Sequence, residues 1–205
     1  TVFDGSFTRF SQSQTPFSND VSALAANSTH AYIGTQAADN FLYDQDSETF
    51  QDLGTQPDST AVETVTETHG SSLNDFFLLG TASPSVYRYS DTFQDVSPGF
   101  FSDRMTASAR NDTHVLMADA GGNLGFYNGT GFQEATSSVG FSGNEKILAA
   151  AFGDFGEKPF WLLGGSGGRI EKLWVNGTSK VLSSDLPGTW GIESIGFRED
   201  EDTFF

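Results

Sequence analysis

The chain has 205 residues, with 27 acidic against 10 basic side chains and a formal charge of -17. So acidic a surface repels nucleic acid rather than gripping its phosphates, and a sequence without cysteine holds neither a disulfide framework nor a thiolate metal site. No apolar run approaches the roughly 18 residues of a membrane-spanning helix and no window keeps a 3.6-residue amphipathic period, so neither membrane insertion by this chain nor appreciable helix is expected.

Taken in order, the chain reads as short strands and tight turns. Val21 to Ala25 is a run of small and β-branched residues; the corner Asn27-Ser28-Thr29-His30 follows, then Tyr32-Ile33-Gly34, Phe41-Leu42-Tyr43 and Phe50 at the head of a fourth segment. The layout returns at Val62 to Thr66, Phe77 to Gly80, Val86 to Tyr89 and Phe93, and again at Met105 to Ala109, Val115 to Met117, Leu124 to Tyr127 and Phe132. In the third copy the Gly121-Gly122-Asn123 turn and the Asn128-Gly129 corner are strong hairpin signals. A fourth copy has Ile147 to Ala151, Phe160 to Gly164, the hairpin turn through Gly168, Ile170 to Leu173 and the corner Asn176-Gly177. Ile192 to Gly196 then repeats the opening segment, and the chain ends at Asp202-Thr203-Phe204-Phe205.

The equivalent positions Gly34, Gly80, Ala118 and Gly164 stand 46, 38 and 46 residues apart, the period of a propeller blade built from four short strands. On these repeats the chain resembles the β-propeller superfamily over nearly its whole length. It lacks the Trp-Asp ending of WD40 repeats, the glycine and aromatic signature of kelch repeats and the full Ser-x-Asp-x-Gly-x-x-Trp box of sialidases. The resemblance implies an all-β fold in a single domain, a five-bladed β-propeller of four-stranded antiparallel blades. The blades fall at about 20–55, 60–97, 104–138 and 146–184, with the last shared between 190–205 and 1–13. Such sharing between the N- and C-termini would place Val2-Phe3 antiparallel beside Thr203 to Phe205 and close the ring, removing open sheet edges. The small residues that open each copy suit an inner strand, where blades converge. Phe50, Phe93 and Phe132, at one place in the repeat, are expected to be buried between blades.

With its acidic, lysine-poor composition, the chain also resembles surface propellers of halophilic archaea or the spikes of their viruses. That resemblance implies recognition rather than chemistry: an extracellular, cell-surface or virion-surface module, within a larger assembly, that binds a protein or a cell-surface glycan and relies on high salt to screen its charge.

Candidate chemistry is sparse. Glu63 and Glu193 each take the second position of an inner strand, where alternate side chains face the axial channel, and two such carboxylates are what a glycoside hydrolase acting through the channel would need. The equivalent places hold Ser22, Thr106 and Leu148, with no arginine evident beside them. Asp44, Asp46 and Glu48 are candidate Ca²⁺ ligands, although their loop lacks the glycine of an EF-hand; no other cofactor is indicated. The sequons at Asn27, Asn111, Asn128 and Asn176 are candidate glycosylation sites, all at expected turns. The glycine run at Gly164 to Gly168 lacks the Lys-Ser/Thr of a phosphate loop, and His30, His69 and His114 show no ligand spacing.

Overall fold

The computed structural model describes residues 15–68, 76–141, 145–154, 159–183, 191–198 and 203–204. The expected pairing of Val2-Phe3 with the C-terminus and the turn histidine His69 lie outside the described residues. Four antiparallel four-stranded sheets follow one another along the chain. The first blade is β1 (Val21–Ala26), β2 (His30–Thr35), β3 (Asp39–Asp44) and β4 (Thr49–Thr55). The second is β5 (Val62–Thr68), β6 (Phe76–Thr81), β7 (Val86–Tyr89) and β8 (Phe93–Asp95). The third is β9 (Met105–Arg110), β10 (Val115–Asp119), β11 (Leu124–Tyr127) and β12 (Phe132–Glu134). The fourth is β13 (Ile147–Gly153), β14 (Phe160–Gly165), β15 (Ile170–Trp174) and β16 (Ser179–Ser183). Strand order within each blade follows chain order, and the inner strands β1, β5, β9 and β13 lie side by side in succession.

The hydrophobic core is divided among the seams between blades. Ala23 and Tyr32 of the first blade pack with Val62, Val65, Phe77, Leu79, Tyr87 and Tyr89 of the second. Phe76, Leu78 and Val86 pack forward onto Met105, Val115, Met117 and Tyr127 of the third. Ala107, Ala109, Leu116, Ala118 and Leu124 pack onto Ile147, Trp161, Leu163 and Leu173 of the fourth. This explains why the second strands read as unbroken apolar runs rather than alternating ones. Phe77 and Leu79 face the blade before, Phe76 and Leu78 the blade after, and both faces of β6 are buried. Each fully buried side chain of this size stabilises by about 1.5–3 kcal/mol.

Two positions in the repeat are corrected by the packing. Phe50, Phe93 and Phe132 are half-buried, because they stand on outermost strands, where blades have splayed apart. Each meets the tyrosine opposite it in the ladder: Tyr43–Phe50, Tyr89–Phe93 and Tyr127–Phe132 are register partners whose ring centroids lie 4.9, 5.0 and 5.0 Å apart. A phenylalanine four residues before the inner strand closes two of these corners edge-on, Phe17 on Phe50 at 6.0 Å and Phe101 on Phe132 at 5.6 Å. The segment Ile192 to Gly196, expected as a fifth inner strand, carries no ladder of its own. Ile192 nonetheless takes the equivalent place, its N–H donating to the Gly165 carbonyl at 3.1 Å. A short hairpin of β17 (Phe197–Arg198) and β18 (Thr203–Phe204) follows.

Candidate functional site

Every described inner strand carries a β-bulge at its second residue. The register skips Ser22, Glu63, Thr106 and Leu148, which have no partner on the second strand, and a bulge of this kind re-aims the extra side chain. Ser22 Oγ donates to the Val62 carbonyl at 2.6 Å, and Thr106 Oγ1 to that of Ile147 at 2.5 Å, so a hydroxyl at the bulge ties its blade to the next. Glu63 makes the corresponding link by charge, with Oε2 4.0 Å from Nη1 of Arg104. That arginine, just ahead of β9, was not evident from the sequence as a neighbour of Glu63. Leu148 lies against Gly191, and Glu193 is exposed beside the same glycine. Glu63 thus faces a guanidinium of the third blade, while Glu193 belongs to the segment that follows the fourth.

The turns joining first to second and third to fourth strands share one face of the blades, and the sequons are all there. In Asn27-Ser28-Thr29-His30, Asn27 Oδ1 accepts from the backbone N–H of Thr29 at 2.9 Å and of His30 at 2.7 Å and from Thr29 Oγ1 at 3.2 Å, while Thr29 Oγ1 lies 2.8 Å from His30 Nδ1. Asn111-Asp112-Thr113-His114 reproduces the set at 2.9, 2.7, 3.1 and 2.9 Å. Asn128 and Asn176 likewise accept from the N–H and Oγ1 of Thr130 and Thr178. A threonine two residues after the asparagine is therefore what this turn requires in order to satisfy its own polar groups, whatever else the sequon does. Burial lowers the His114 pKa.

The candidate Ca²⁺ ligands occupy the β3–β4 turn on the same face. Asp44 Oδ1 accepts from the backbone N–H of Asp46 at 2.8 Å and of Ser47 at 3.0 Å. The Ser47 bond is the main reason its carboxyl is held below the usual range, with His30 adding to it. His30 Nε2 stands 4.0 Å from Asp44 Oδ2. Among the described residues no group of three histidine or acidic side chains is placed to hold a metal ion.

The opposite ends of the blades are anchored by polar side chains, of which Asn40, Asp119 and Glu171 are buried and Asp58 is half-buried. Asn40 accepts from Tyr32 Oη at 2.7 Å and donates to the Gly54 carbonyl and Gln56 Oε1. Asp58 accepts from Ser83 Oγ at 2.5 Å and Thr81 Oγ1 at 2.8 Å. Asp119 accepts from the N–H groups of Ser102, Asp103 and Asn123, and Glu171 accepts from Gly140 N–H and pairs with Arg169 at 3.2 Å. These contacts fix the crossings between blades and satisfy backbone groups that burial would otherwise orphan.

A cavity of about 890 Å³ opens on the sequon-bearing face, between the first and second blades. Its walls are the Asn27–His30 turn, Gln51 of β4, and Ser90 and Asp91 after β7; the buried rings of Phe76, Phe77 and Tyr89 line its base. Glu67 and Arg110, at equivalent positions on consecutive inner strands, line its inner end and pair at 2.6 Å with only 14 and 24 % of their side chains exposed. Burial raises the Tyr89 phenol, and the charge of Asp91 adds to the shift.

No family model matches the sequence, and no curated protein matches it significantly. Solved structures match its fold. The WD40 β-propeller domain of Doa1 is 14% identical, with a TM-score of 0.72 over 93% of this chain and 61% of that one. U3-55K is 13% identical, with a TM-score of 0.65 over 90% and 59%, and the computationally designed Ika4 protein is 16% identical, with a TM-score of 0.55 over 80% and 91%. The chain thus spans about three-fifths of the length of the two natural chains. At these identities the likeness speaks to fold, and together with the four repeated blades it establishes that this chain is folded as a β-propeller.

Proposed function

We propose that the chain is a binding module in which a five-bladed ring presents the face bearing the Asn-x-Thr turns to a protein partner. The cavity between the first and second blades carries this reading: it is a concave, largely polar site on a face whose Asn-x-Thr turns are each fixed by their own hydrogen bonds, a rigid frame of the kind on which recognition loops are built. Docking to protein chains is what a propeller scaffold offers through its loop faces without any chemistry of its own. The Glu63 carboxylate stands 4.0 Å from the Arg104 guanidinium, an inter-blade contact that supports the binding reading over glycoside hydrolysis.

The fifth blade of this proposal rests on blade 1. Val62, Met105 and Ile147, which open β5, β9 and β13, are completely buried against the preceding blade, whereas Val21, which opens β1, is 46% exposed and Leu24 63% exposed. A further blade would cover both. The test of function is a photo-crosslinker placed in turn at Ser28 and Ser90 on the proposed face and at Ala82 on the opposite face. Crosslinks to one protein species from the first two positions alone support the reading. Equal yields from all three positions refute it, and strong glycan-array binding without any protein crosslink favours the glycan alternative.

A further inference from the structure

We infer that the cavity between the first and second blades is a docking site for a basic, arginine-bearing peptide segment of a partner protein. The inference rests on the binding-module reading and assigns the chemistry of what that face recognises. Three observations carry it.

The first is the charge balance at the site. Among the described residues that line the cavity, Arg110 is paired with Glu67 at 2.6 Å, and the acidic side chain of Asp91 stands at the rim. Asp44 ends β3 and Asp46 and Glu48 follow it on the same face, and Asp112 follows β9. A guanidinium entering there meets a favourable field, and the -17 charge of the chain extends that field into solution, raising the rate of encounter with cations and opposing anions.

The second is shape. A volume of about 890 Å³ beside the Asn27–His30 turn, which is closed by its own hydrogen bonds, accepts several side chains of an extended segment rather than one ion. The third is the lining. Gln51 and the hydroxyls of Ser28 and Ser90 offer acceptors for the several N–H donors of a guanidinium. The ring edges of Phe77 and Tyr89 at the base give the aliphatic stem an apolar surface. A neutral or acidic peptide finds none of the charge contribution, and an anionic ligand is opposed by it.

The test uses the full chain and a fluorescein-labelled nine-residue peptide carrying three arginines, with citrulline and glutamate versions as controls, followed by anisotropy at about 50 and 300 mM NaCl. The arginine peptide is expected to bind at least tenfold more tightly than the citrulline peptide at the lower salt and to weaken at the higher. Asp91→Asn and Ser28→Trp, which fills the cavity mouth, are each expected to weaken binding about tenfold. Glu134→Gln, which removes the same charge at the exposed end of β12 on the opposite face, should change it less than twofold. Equal losses from Asp91→Asn and Glu134→Gln would mean diffuse attraction to an acidic surface and would overturn the proposal, as would failure of the arginine peptide to bind at the lower salt. Face-specific crosslinking that persists in excess arginine peptide would overturn this inference while leaving the binding-module reading intact.

Discussion

Gly34 lies directly beneath Val62. A Cβ on the glycine would come within 2.6 Å of the valine Cβ, and the contact recurs one blade later, where Gly80 would meet Met105 Cβ at 2.5 Å, and after the fourth blade, where Gly164 would meet Ile192 Cβ at 2.6 Å. The second strands of the first and second blades thus touch the first residue of the next inner strand, and that of the fourth touches the segment that follows it, with no room for a side chain. Gly80→Ala is expected to cost about 2 kcal/mol through overpacking. Gly99→Ala, where a methyl group meets nothing within 4 Å, should fall within about 0.5 kcal/mol of the parent. Equal denaturation midpoints for the two variants would refute the seam.

The outer-strand phenylalanines offer a graded comparison. Among the described residues Phe93 has one aromatic neighbour, Tyr89, whereas Phe132 meets Tyr127, Phe100 and Phe101. Both are half-buried, so Phe93→Ala should cost about 1–2 kcal/mol and Phe132→Ala about 2–3 kcal/mol, below the roughly 3–5 kcal/mol of a fully buried phenylalanine. Urea unfolding of both variants in one buffer checks the order, and a reversed order would show that the Phe100-Phe101 corner does not hold β12.

Asp58 governs the acid limb. Burial pushes its carboxyl up, but the hydrogen bonds from Ser83, Thr81 and Thr60 outweigh burial and hold it below its ordinary value. A carboxyl depressed in the folded state contributes stability that is complete above its unfolded pKa of about 3.9 and is lost as pH falls through the folded value. Asp58→Asn should therefore cost about 1 kcal/mol at pH 7 and show a shallower loss of stability than the parent below about pH 4. Parallel acid limbs for the two proteins would contradict the hydrogen-bond assignment.

The charge of -17 should make the fold itself sensitive to salt. Self-repulsion extends about 10 Å at 0.1 M salt and about 3 Å at 1 M, so the thermal midpoint should climb steadily across that range. A midpoint independent of salt, followed by circular dichroism, would mean that opposite charges such as the Arg169 and Glu145 pair, 3.3 Å apart, already balance the surface.

The blades were legible in the sequence because their signals are local: a hairpin corner, a two-residue alternation and a period. The bulges were not, since a register skip at Ser22 or Glu63 depends on the partner strand. Nor was the depth of Phe50, Phe93 and Phe132, because their recurrence marked a shared position without saying how far from the axis it lies. The Glu67–Arg110 pair went unread although its signal was present, opposite charges one blade period apart at the sixth residue of two inner strands. The turn role of the sequon threonines was likewise not read from the motif, since it rests on bonds to Asn27, Asn111, Asn128 and Asn176 that only the folded turn displays.

Ring closure is tested on Leu24. In the second blade the equivalent residue, Val65, is 9% exposed against the blade before it, whereas Leu24 is 63% exposed on β1. If a fifth blade covers that face, Leu24→Ser removes a buried leucine and introduces a hydroxyl there, at a cost of about 2–4 kcal/mol. If the face is open to water, the same change is a surface substitution worth no more than about 0.5 kcal/mol. The fivefold reading predicts the large value, together with slow hydrogen exchange of the β1 amides. It also predicts that removing residues 1–14 lowers the cost of Leu24→Ser toward zero, because the segment proposed to complete the fifth blade would be gone. A small cost in the full chain, unchanged by the truncation, would leave a propeller whose first blade ends the ring and whose apolar flank is free for another molecule.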